Sequence, residues 1–195
     1  SGREKRRIVG GGRSVWGSGL KGSKLAFGNT CTATYGKSDL EHAFDFRSLQ
    51  GTKLSKSDAS SFQRLRTHFG PLKLSHEKGG DYGYSDAVLV IKEGSRERAR
   101  VVRDATDGHS HRVYGFTQNG SIVSGGSNGF LYIYNKDGEE LAKLVGHEGE
   151  IWALAVEGNR LLSGSSDQTL KLWDLGEVLS VAKKSELDET WFAAT

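Results

Sequence analysis

Short stretches of alternating apolar and polar residues, separated by glycine-rich turns, extend along most of this chain of 195 residues. Alternation with a period of two is typical of strands that bury one face. Two segments, residues 108–135 and 146–174, contain the same succession: Gly-His, an alternating stretch, a second stretch ending in Ser-Gly, and an aromatic-rich third stretch. Each segment is therefore predicted to form three strands.

Three pairs of marker residues set the spacing of this repeat. They are His109 and His147, 38 residues apart, and Ser124 with Ser163 and Tyr134 with Trp173, each pair 39 apart. A period near forty residues with four strands per unit is typical of propeller blades. The fourth strands are predicted at residues 139–145, after a Lys-Asp-Gly turn, and at residues 176–182.

The first half of the chain fits the same template more loosely. Strands are predicted at residues 24–29, 40–46, 61–69, 71–75, 87–92 and 97–103, with polar surface loops at residues 30–39 and 76–86. The whole chain, residues 1–195, is thus predicted to be one all-β propeller segment of about four blades, each of four antiparallel strands. The blades are placed at residues 11–55, 56–107, 108–145 and 146–185, with partial strands near residues 6–10 and 190–195.

Four residues of the last repeat stand where the WD-repeat β-propellers have a structural tetrad: His147, Ser163, Asp167 and Trp173. On these residues the segment 108–175 resembles that family. The resemblance implies that the indole donates to the serine hydroxyl, the serine to the histidine ring, and the histidine to the aspartate. The tetrad then holds one blade together and is not catalytic, since a hydrolase would need an exposed serine and an oxyanion hole.

The preceding repeat departs from this pattern. His109 and Ser124 match, whereas Asn128 replaces Asp and Tyr134 replaces Trp. Asn can accept through its carbonyl and Tyr can donate through its hydroxyl, so a weakened network is expected there. The first half, over residues 10–30 and 40–49, also resembles propeller regions of large bacterial proteins that join WD repeats to a caspase-like peptidase or another signalling domain.

A candidate partner surface lies on the first strand of each blade, which lines the central channel of a propeller. The third residue of the aligned strand starts is aromatic or Arg: Trp16, Arg66, Tyr114, Trp152 and Trp191. Trp, Tyr and Arg are enriched at binding hot spots, so these side chains are predicted to contact a protein or peptide partner. The alternative is that the aromatic rings pack on one another and fill the channel.

Composition narrows the classes of function. The net charge of +3 is mildly basic and each basic run, residues 3–7 and 96–100, contains a Glu, so nucleic-acid binding is only an alternative. The single cysteine, Cys31, excludes an internal disulfide and a multi-thiolate metal site. No apolar run is long enough to span a bilayer, and a cytoplasmic location without cofactor or metal is expected.

The leading hypothesis is a non-catalytic protein–protein interaction scaffold. One alternative is the regulatory or sensor propeller of a bacterial caspase-like peptidase or signalling protein. Another is an enzyme with acid–base residues in the inserts, namely His68, His76, Asp81 and Asp86, although their spacing is not that of a known metal site. Because the chain begins and ends in mid-blade, it is expected to continue in a longer propeller or to form a homo-oligomer.

Overall fold

The computed structural model describes the backbone of residues 3–9 and, in full, residues 15, 17–28, 40–45, 47–48, 50–62, 65–77, 88–103 and 108–176. In this part of the chain sixteen strands form four antiparallel sheets of four strands each, and one short helix follows the first sheet. The prediction of an all-β chain with about four propeller blades is confirmed.

The elements follow in chain order, and each sheet is one blade. β1 (Arg3–Val9) comes first. Blade 1 contains β2 (Gly17–Lys21), β3 (Lys24–Gly28), β4 (His42–Asp45) and β5 (Gln50–Lys53), and α1 (Lys56–Ala59) follows it. Blade 2 contains β6 (His68–Phe69), β7 (Leu72–Glu77), β8 (Val88–Glu93) and β9 (Arg96–Val101). Blade 3 contains β10 (Val113–Phe116), β11 (Ile122–Gly125), β12 (Leu131–Tyr134) and β13 (Glu140–Leu144), and blade 4 contains β14 (Ile151–Glu157), β15 (Arg160–Ser165) and β16 (Thr169–Asp174).

The outer strand of blade 4 is β1, from the other end of the chain. β1 runs antiparallel to β16, with Glu4 opposite Trp173 and Ile8 opposite Leu170. The prediction that residues 176–182 supply this strand is wrong, because β15 and β1 occupy the two sides of β16. The strand predicted near residues 190–195 lies outside the described residues.

β1 also has the register of the other outer strands. In β1, β9 and β13 a glutamate lies opposite the neighbouring strand and a β-bulge follows it; these glutamates are Glu4, Glu97 and Glu140. Three residues after each glutamate comes a Lys or Arg, and then two apolar residues. A bulge adds one residue and increases the local twist, so its shared position gives the three outer strands the same course.

The blades pack face to face through apolar side chains. Ile91 of blade 2 and Tyr134 of blade 3 belong to one buried cluster, whereas Ile133 of blade 3 and Trp173 of blade 4 belong to the next. Successive residues of a strand point to opposite faces, so β12 packs on blade 2 through Tyr134 and on blade 4 through Ile133. The remaining face of blade 4 packs on blade 1, around Leu20. The packing order is therefore blade 2, blade 3, blade 4, blade 1.

The junction of blade 4 with blade 1 repeats the junction of blade 3 with blade 4. The Ile151 amide donates to the Gly126 carbonyl at 3.0 Å, and the Val15 amide donates to the Ser165 carbonyl at 3.0 Å. A Cβ on Gly125 would lie 2.7 Å from Ile151 Cγ2. A Cβ on Gly164 would likewise collide with Val15 Cγ1. The glycine of each Ser-Gly marker thus admits the first apolar residue of the next blade.

Candidate functional site

The four residues of the predicted tetrad in blade 4 form one chain of hydrogen bonds. The indole Nε1 of Trp173 donates to Ser163 Oγ at 2.8 Å, and Ser163 Oγ lies 2.7 Å from His147 Nε2. His147 Nδ1 lies 2.7 Å from a carboxylate oxygen of Asp167. An ionised carboxylate only accepts, so Nδ1 carries the ring proton and Nε2 accepts from the serine hydroxyl. Every polar atom of the chain is thereby used.

The Asp167 carboxylate receives further donors from the tight turn after β15. Thr169 donates to Oδ1 through its amide at 2.9 Å and its hydroxyl at 2.7 Å, and the Glu148 amide donates to Oδ2 at 3.1 Å. Burial raises the pKa of Asp167, but the hydrogen bonds from Thr169 and His147 lower it more, so the pKa falls to about 2. Asp167 is therefore a charged anchor for the turn.

Burial decides what this Ser-His-Asp group can do. Ser163 is fully buried and the His147 side chain has no exposed surface. A serine nucleophile must be reachable by its substrate and must face an oxyanion hole. Here the serine hydroxyl instead accepts from Trp173 within the sheet. The group stabilises blade 4 and offers no surface for catalysis.

In the degenerate network of blade 3, a second histidine takes the place of the indole. His109 bridges Asn128 Oδ1 at 2.9 Å and Ser124 Oγ at 3.3 Å. The Tyr134 hydroxyl does not complete this network, contrary to the expectation from the sequence; it accepts from Arg103 at 3.4 Å. His111 Nδ1 lies 2.6 Å from Ser124 Oγ instead. A phenol oxygen lies on the ring axis, whereas an indole N–H projects sideways, so tyrosine cannot imitate tryptophan here.

The predicted partner residues do not form one exposed ring in the described structure. Trp152 is only 8% exposed, and the Arg112 guanidinium covers its ring at 4.6 Å, which corrects the prediction of an exposed anchor. Tyr114 is half-buried against blade 2, with its hydroxyl 2.9 Å from His76 Nδ1. Trp16 and Trp191 lie outside the described residues, so their role stays a prediction.

Arg66 is exposed but lies at the other end of the innermost strands. Its carbonyl accepts from the Phe116 amide at 2.7 Å, beside the last residue of β10. His68 lies opposite Lys73 and Phe116 lies opposite Ile122, and each partner in turn pairs with the residue that faces the glutamate before the bulge of the outer strand. The predicted alignment of Arg66 with Tyr114 therefore agrees with the strand pairing.

A cavity of about 290 Å³ opens where the innermost strands of blades 2, 3 and 4 end. Its wall includes Arg66, His68, Phe69, Phe116, Gln118 and Val156. Of these residues only Arg66 and His68 were singled out from the sequence, Arg66 in another position and His68 in another role. The missed signal is the repeated phenylalanine before the first turn of a blade, which Phe69 and Phe116 share.

Two arginines of the basic run at residues 96–100 are ion-paired within the fold. Arg98 binds Asp137 at 2.8 Å, and Arg100 binds Glu77 at 3.0 Å and Glu97 at 2.6 Å. β9 is the outer strand of blade 2, so these charges lie along a sheet edge, where they discourage pairing with other strands. Arginines that are already ion-paired have less to gain from phosphate contacts.

The enzyme alternative finds little support in the described residues. His68 and His76 are exposed on blade 2, and Asp81 and Asp86 lie outside the described part of the chain. Within residues that the structure describes, no group of three or more His, Cys, Asp or Glu side chains could hold a metal ion. The same residues include no helix with the length and apolar character that a bilayer crossing requires.

Comparison with known families gives a match at the tetrad. Residues 138–174, from the turn before β13 to the end of β16, match the family WD40, described as "WD domain, G-beta repeat". This segment is thus similar to a WD40 repeat. It contains all four tetrad residues, and the resemblance to the WD-repeat propellers that was inferred from them is confirmed.

Several curated proteins resemble parts of the chain. Cell division control protein 4 of Saccharomyces cerevisiae is 26% identical over 107 residues, covering 53% of this chain and 14% of that protein. Eukaryotic translation initiation factor 3 subunit I of Drosophila grimshawi is 40% identical over 65 residues, covering 31% of this chain and 20% of that protein. The chain thus spans a fifth or less of the length of these relatives.

Two solved structures are similar in outline. The WD40 β-propeller domain of Doa1 has a TM-score of 0.49 and 10% identity, covering 89% of this chain and 97% of that one. The computationally designed Ika4 protein has a TM-score of 0.41 and 16% identity, covering 86% of this chain and 94% of that one. The curated relatives named above are eukaryotic, so the proposed bacterial context gains no support from them.

Proposed function

We propose that this chain is a non-catalytic module that binds a protein or peptide partner. The observation that carries the proposal is the burial of Ser163 and His147, whose polar atoms are used with those of Asp167 in hydrogen bonds inside blade 4. The residues most capable of chemistry therefore serve the scaffold. WD40 propellers are typically non-catalytic, and one relative is named as a subunit of a translation initiation factor.

A fluorophosphonate probe tests the non-catalytic part of the proposal, because it labels activated serine nucleophiles. We expect no labelling of Ser163 in the folded chain, since its hydroxyl is buried. Labelling that disappears in Ser163→Ala would show an active nucleophile and would refute the proposal.

The interaction part is tested by capture and rebinding. The immobilised folded chain is incubated with lysate, and each retained protein is purified and titrated back onto the chain. We expect at least one saturable complex of defined stoichiometry. Trp173→Ala is the matched control, because loss of the indole disrupts blade 4 and leaves only non-specific retention. If no purified candidate rebinds better to the wild type than to this variant, the proposal fails.

Four finer assignments go beyond this proposal. A regulatory role beside a caspase-like or signalling domain rests on the sequence resemblance alone, and a cytoplasmic location rests on the composition of the sequence. Homo-oligomerisation is tested by the solution mass from light scattering, where a monomer at all concentrations would exclude it. Nucleic-acid binding is tested on heparin, and we expect weak retention because Arg98 and Arg100 are ion-paired.

A further inference from the structure

The cavity at the end of the innermost strands carries one guanidinium, that of Arg66, with no acidic partner in the part of the chain that the structure describes. Arg66 is exposed, and no carboxylate among the described residues pairs with its guanidinium. By contrast, Arg98, Arg100 and Arg160 all lie in ion pairs. An unpaired guanidinium at the mouth of a concave surface can form strong bidentate bonds with a carboxylate.

His68 and Gln118 add hydrogen-bonding groups beside this guanidinium. His68 Nδ1 lies 3.2 Å from the Thr67 hydroxyl, which leaves Nε2 available at the cavity wall. Gln118 is exposed in the turn after β10 and supplies an amide that both donates and accepts. The polar side of the cavity therefore presents donors and one full positive charge, with no acidic side chain among its described lining residues.

The opposite side of the cavity is apolar. Phe69 and Phe116 pack with ring centroids 5.8 Å apart and an interplanar angle of 37°, and Val156 of blade 4 lies beside them. Phe116 is only 5% exposed and Val156 6%, so they form the floor, whereas Phe69 is half-buried. A ligand that fits both sides needs an anionic group next to an apolar one.

Three blades hold these groups in place before any ligand arrives. The hydrogen bond between the Phe116 amide and the Arg66 carbonyl joins blade 3 to the chain leading into blade 2. Gly120 has φ +89°, and a Cβ on it would lie 2.7 Å from the Phe69 ring, so the ring packs directly on the turn after β10. Groups that are already ordered lose less entropy on binding.

We propose that this cavity binds a carboxylate-bearing residue of a peptide together with an adjacent apolar side chain. The inference rests on the proposed interaction function. It places one binding site where the innermost strands end and turn, and not where these strands begin. A volume of about 290 Å³ lies at the lower end of ligand pockets, about 300–1,000 Å³. The size matches one or two peptide residues and is small for a nucleotide cofactor.

Fluorescence anisotropy with defined peptides tests the site in the full chain. The probe is a short fluorescein-labelled peptide of alternating Glu and Phe with an amidated C-terminus. Arg66→Gln is expected to raise its Kd about tenfold, since a hydrogen bond to a charged group contributes about 1.5–3 kcal/mol and each tenfold corresponds to about 1.4. Arg96→Gln is the matched control, because Arg96 is also exposed and outside the ion pairs. Its Kd is expected to change less than about twofold.

A second peptide, with Gln in place of Glu, completes a double-mutant cycle. It is expected to bind the wild type as weakly as the first peptide binds Arg66→Gln, with no further loss on the variant. A third peptide, of Gln and Phe with a free C-terminal carboxylate, tests whether the carboxylate comes from a chain end. Tight binding of the Glu-Phe peptide or of this third peptide supports the proposal and shows whether a side chain or a chain end supplies the carboxylate.

Two results would overturn the proposed site. Equal losses for Arg66→Gln and Arg96→Gln would show attraction to net charge alone, and the absence of binding by either acidic peptide would show that the cavity takes no carboxylate. Both results leave the rebinding experiment with lysate proteins intact, so failure of this site is distinguishable from failure of the interaction function. Circular dichroism verifies that each variant is folded.

Discussion

Replacing Asp167 by Asn tests whether a charged carboxylate stabilises blade 4. The substitution is compatible with the fold, because Asn128 holds the equivalent position in blade 3 and accepts from His109. In blade 4, however, the amide nitrogen of an asparagine cannot accept from the Thr169 amide and hydroxyl, which both bind Oδ1. The variant therefore loses these bonds together with the charge.

The expected size and pH dependence follow from the pKa of Asp167. Folding lowers it from 3.8 to about 2. A group whose pKa is lower in the folded state stabilises that state above its unfolded pKa, and the stabilisation is lost as the pH falls through the folded pKa. The difference corresponds to about 2 kcal/mol at pH 5, about half of this at pH 3, and little at pH 2.

Urea unfolding, followed by tryptophan fluorescence between pH 5 and pH 2, measures this contribution. The gap in unfolding free energy between wild type and Asp167→Asn is expected to shrink by about 2 kcal/mol over this range. Thr169→Val removes the hydroxyl that lowers the pKa of Asp167, so the acid-dependent part of the stability should be smaller and its loss should be complete at a higher pH. A gap that stays constant from pH 5 to pH 2 would refute the reasoning.

Three further predictions concern single side chains, and urea unfolding checks each of them. Trp173→Phe should lower the free energy of unfolding by about 2–3 kcal/mol, because it leaves the buried Ser163 hydroxyl without its donor. Tyr134→Phe should lower it by less than about 1 kcal/mol. Equal losses would show that the hydrogen bond from the indole is unimportant. Ser18→Ala should be neutral or stabilising by about 1 kcal/mol, because the buried Ser18 hydroxyl finds no hydrogen-bond partner in the described structure, and a clear destabilisation would contradict this. Gly120→Ala should cost more than Gly158→Ala, because both have positive φ but only the first would place a Cβ against a neighbouring ring; similar losses would show that the contact relaxes freely.

The blade architecture was predictable because its markers are local. His147, Ser163 and Trp173 are neighbours in one sheet, so their spacing repeats whenever the same sheet is built again. The Ser-Gly marker repeats for a related reason, since a Cβ on Gly125 or Gly164 would collide with the next blade. Residue patterns of this kind report contacts within one blade or at one junction.

The outer strand of blade 4 was harder to predict, because two segments fit the same edge. Residues 176–182 follow β16 directly, and proximity favoured them. The stronger signal was the motif of β1, where Glu4, Arg7 and Val9 stand as Glu140, Lys143 and Val145 stand in β13. It marks β1 as an outer strand without saying which blade it joins, and only the pairing with β16 settles that.

The candidate sites depended on contacts between blades, which the sequence pattern does not contain. Nothing in the pattern around β6 indicated that Arg66 would lie beside the end of β10. The burial of Trp152 depends on Arg112, one strand away in another blade, and periodicity carries no information on such a contact. The hydrogen bond between His111 and Ser124 was missed because the counterpart of His111 in blade 4 is Gly149.

The pairing of β1 with β16 also constrains how the chain matures. Val9 pairs with Thr169, so these partners leave the ribosome far apart in time, about 8–30 seconds at about 5–20 residues per second. During that interval β1 has no sheet to join, and β16 later presents an open edge until β1 arrives. Where several ribosomes translate one mRNA, β1 of one nascent chain can pair with β16 of another before it pairs with its own. Folding of blade 4 therefore depends on how quickly β1 and β16 meet.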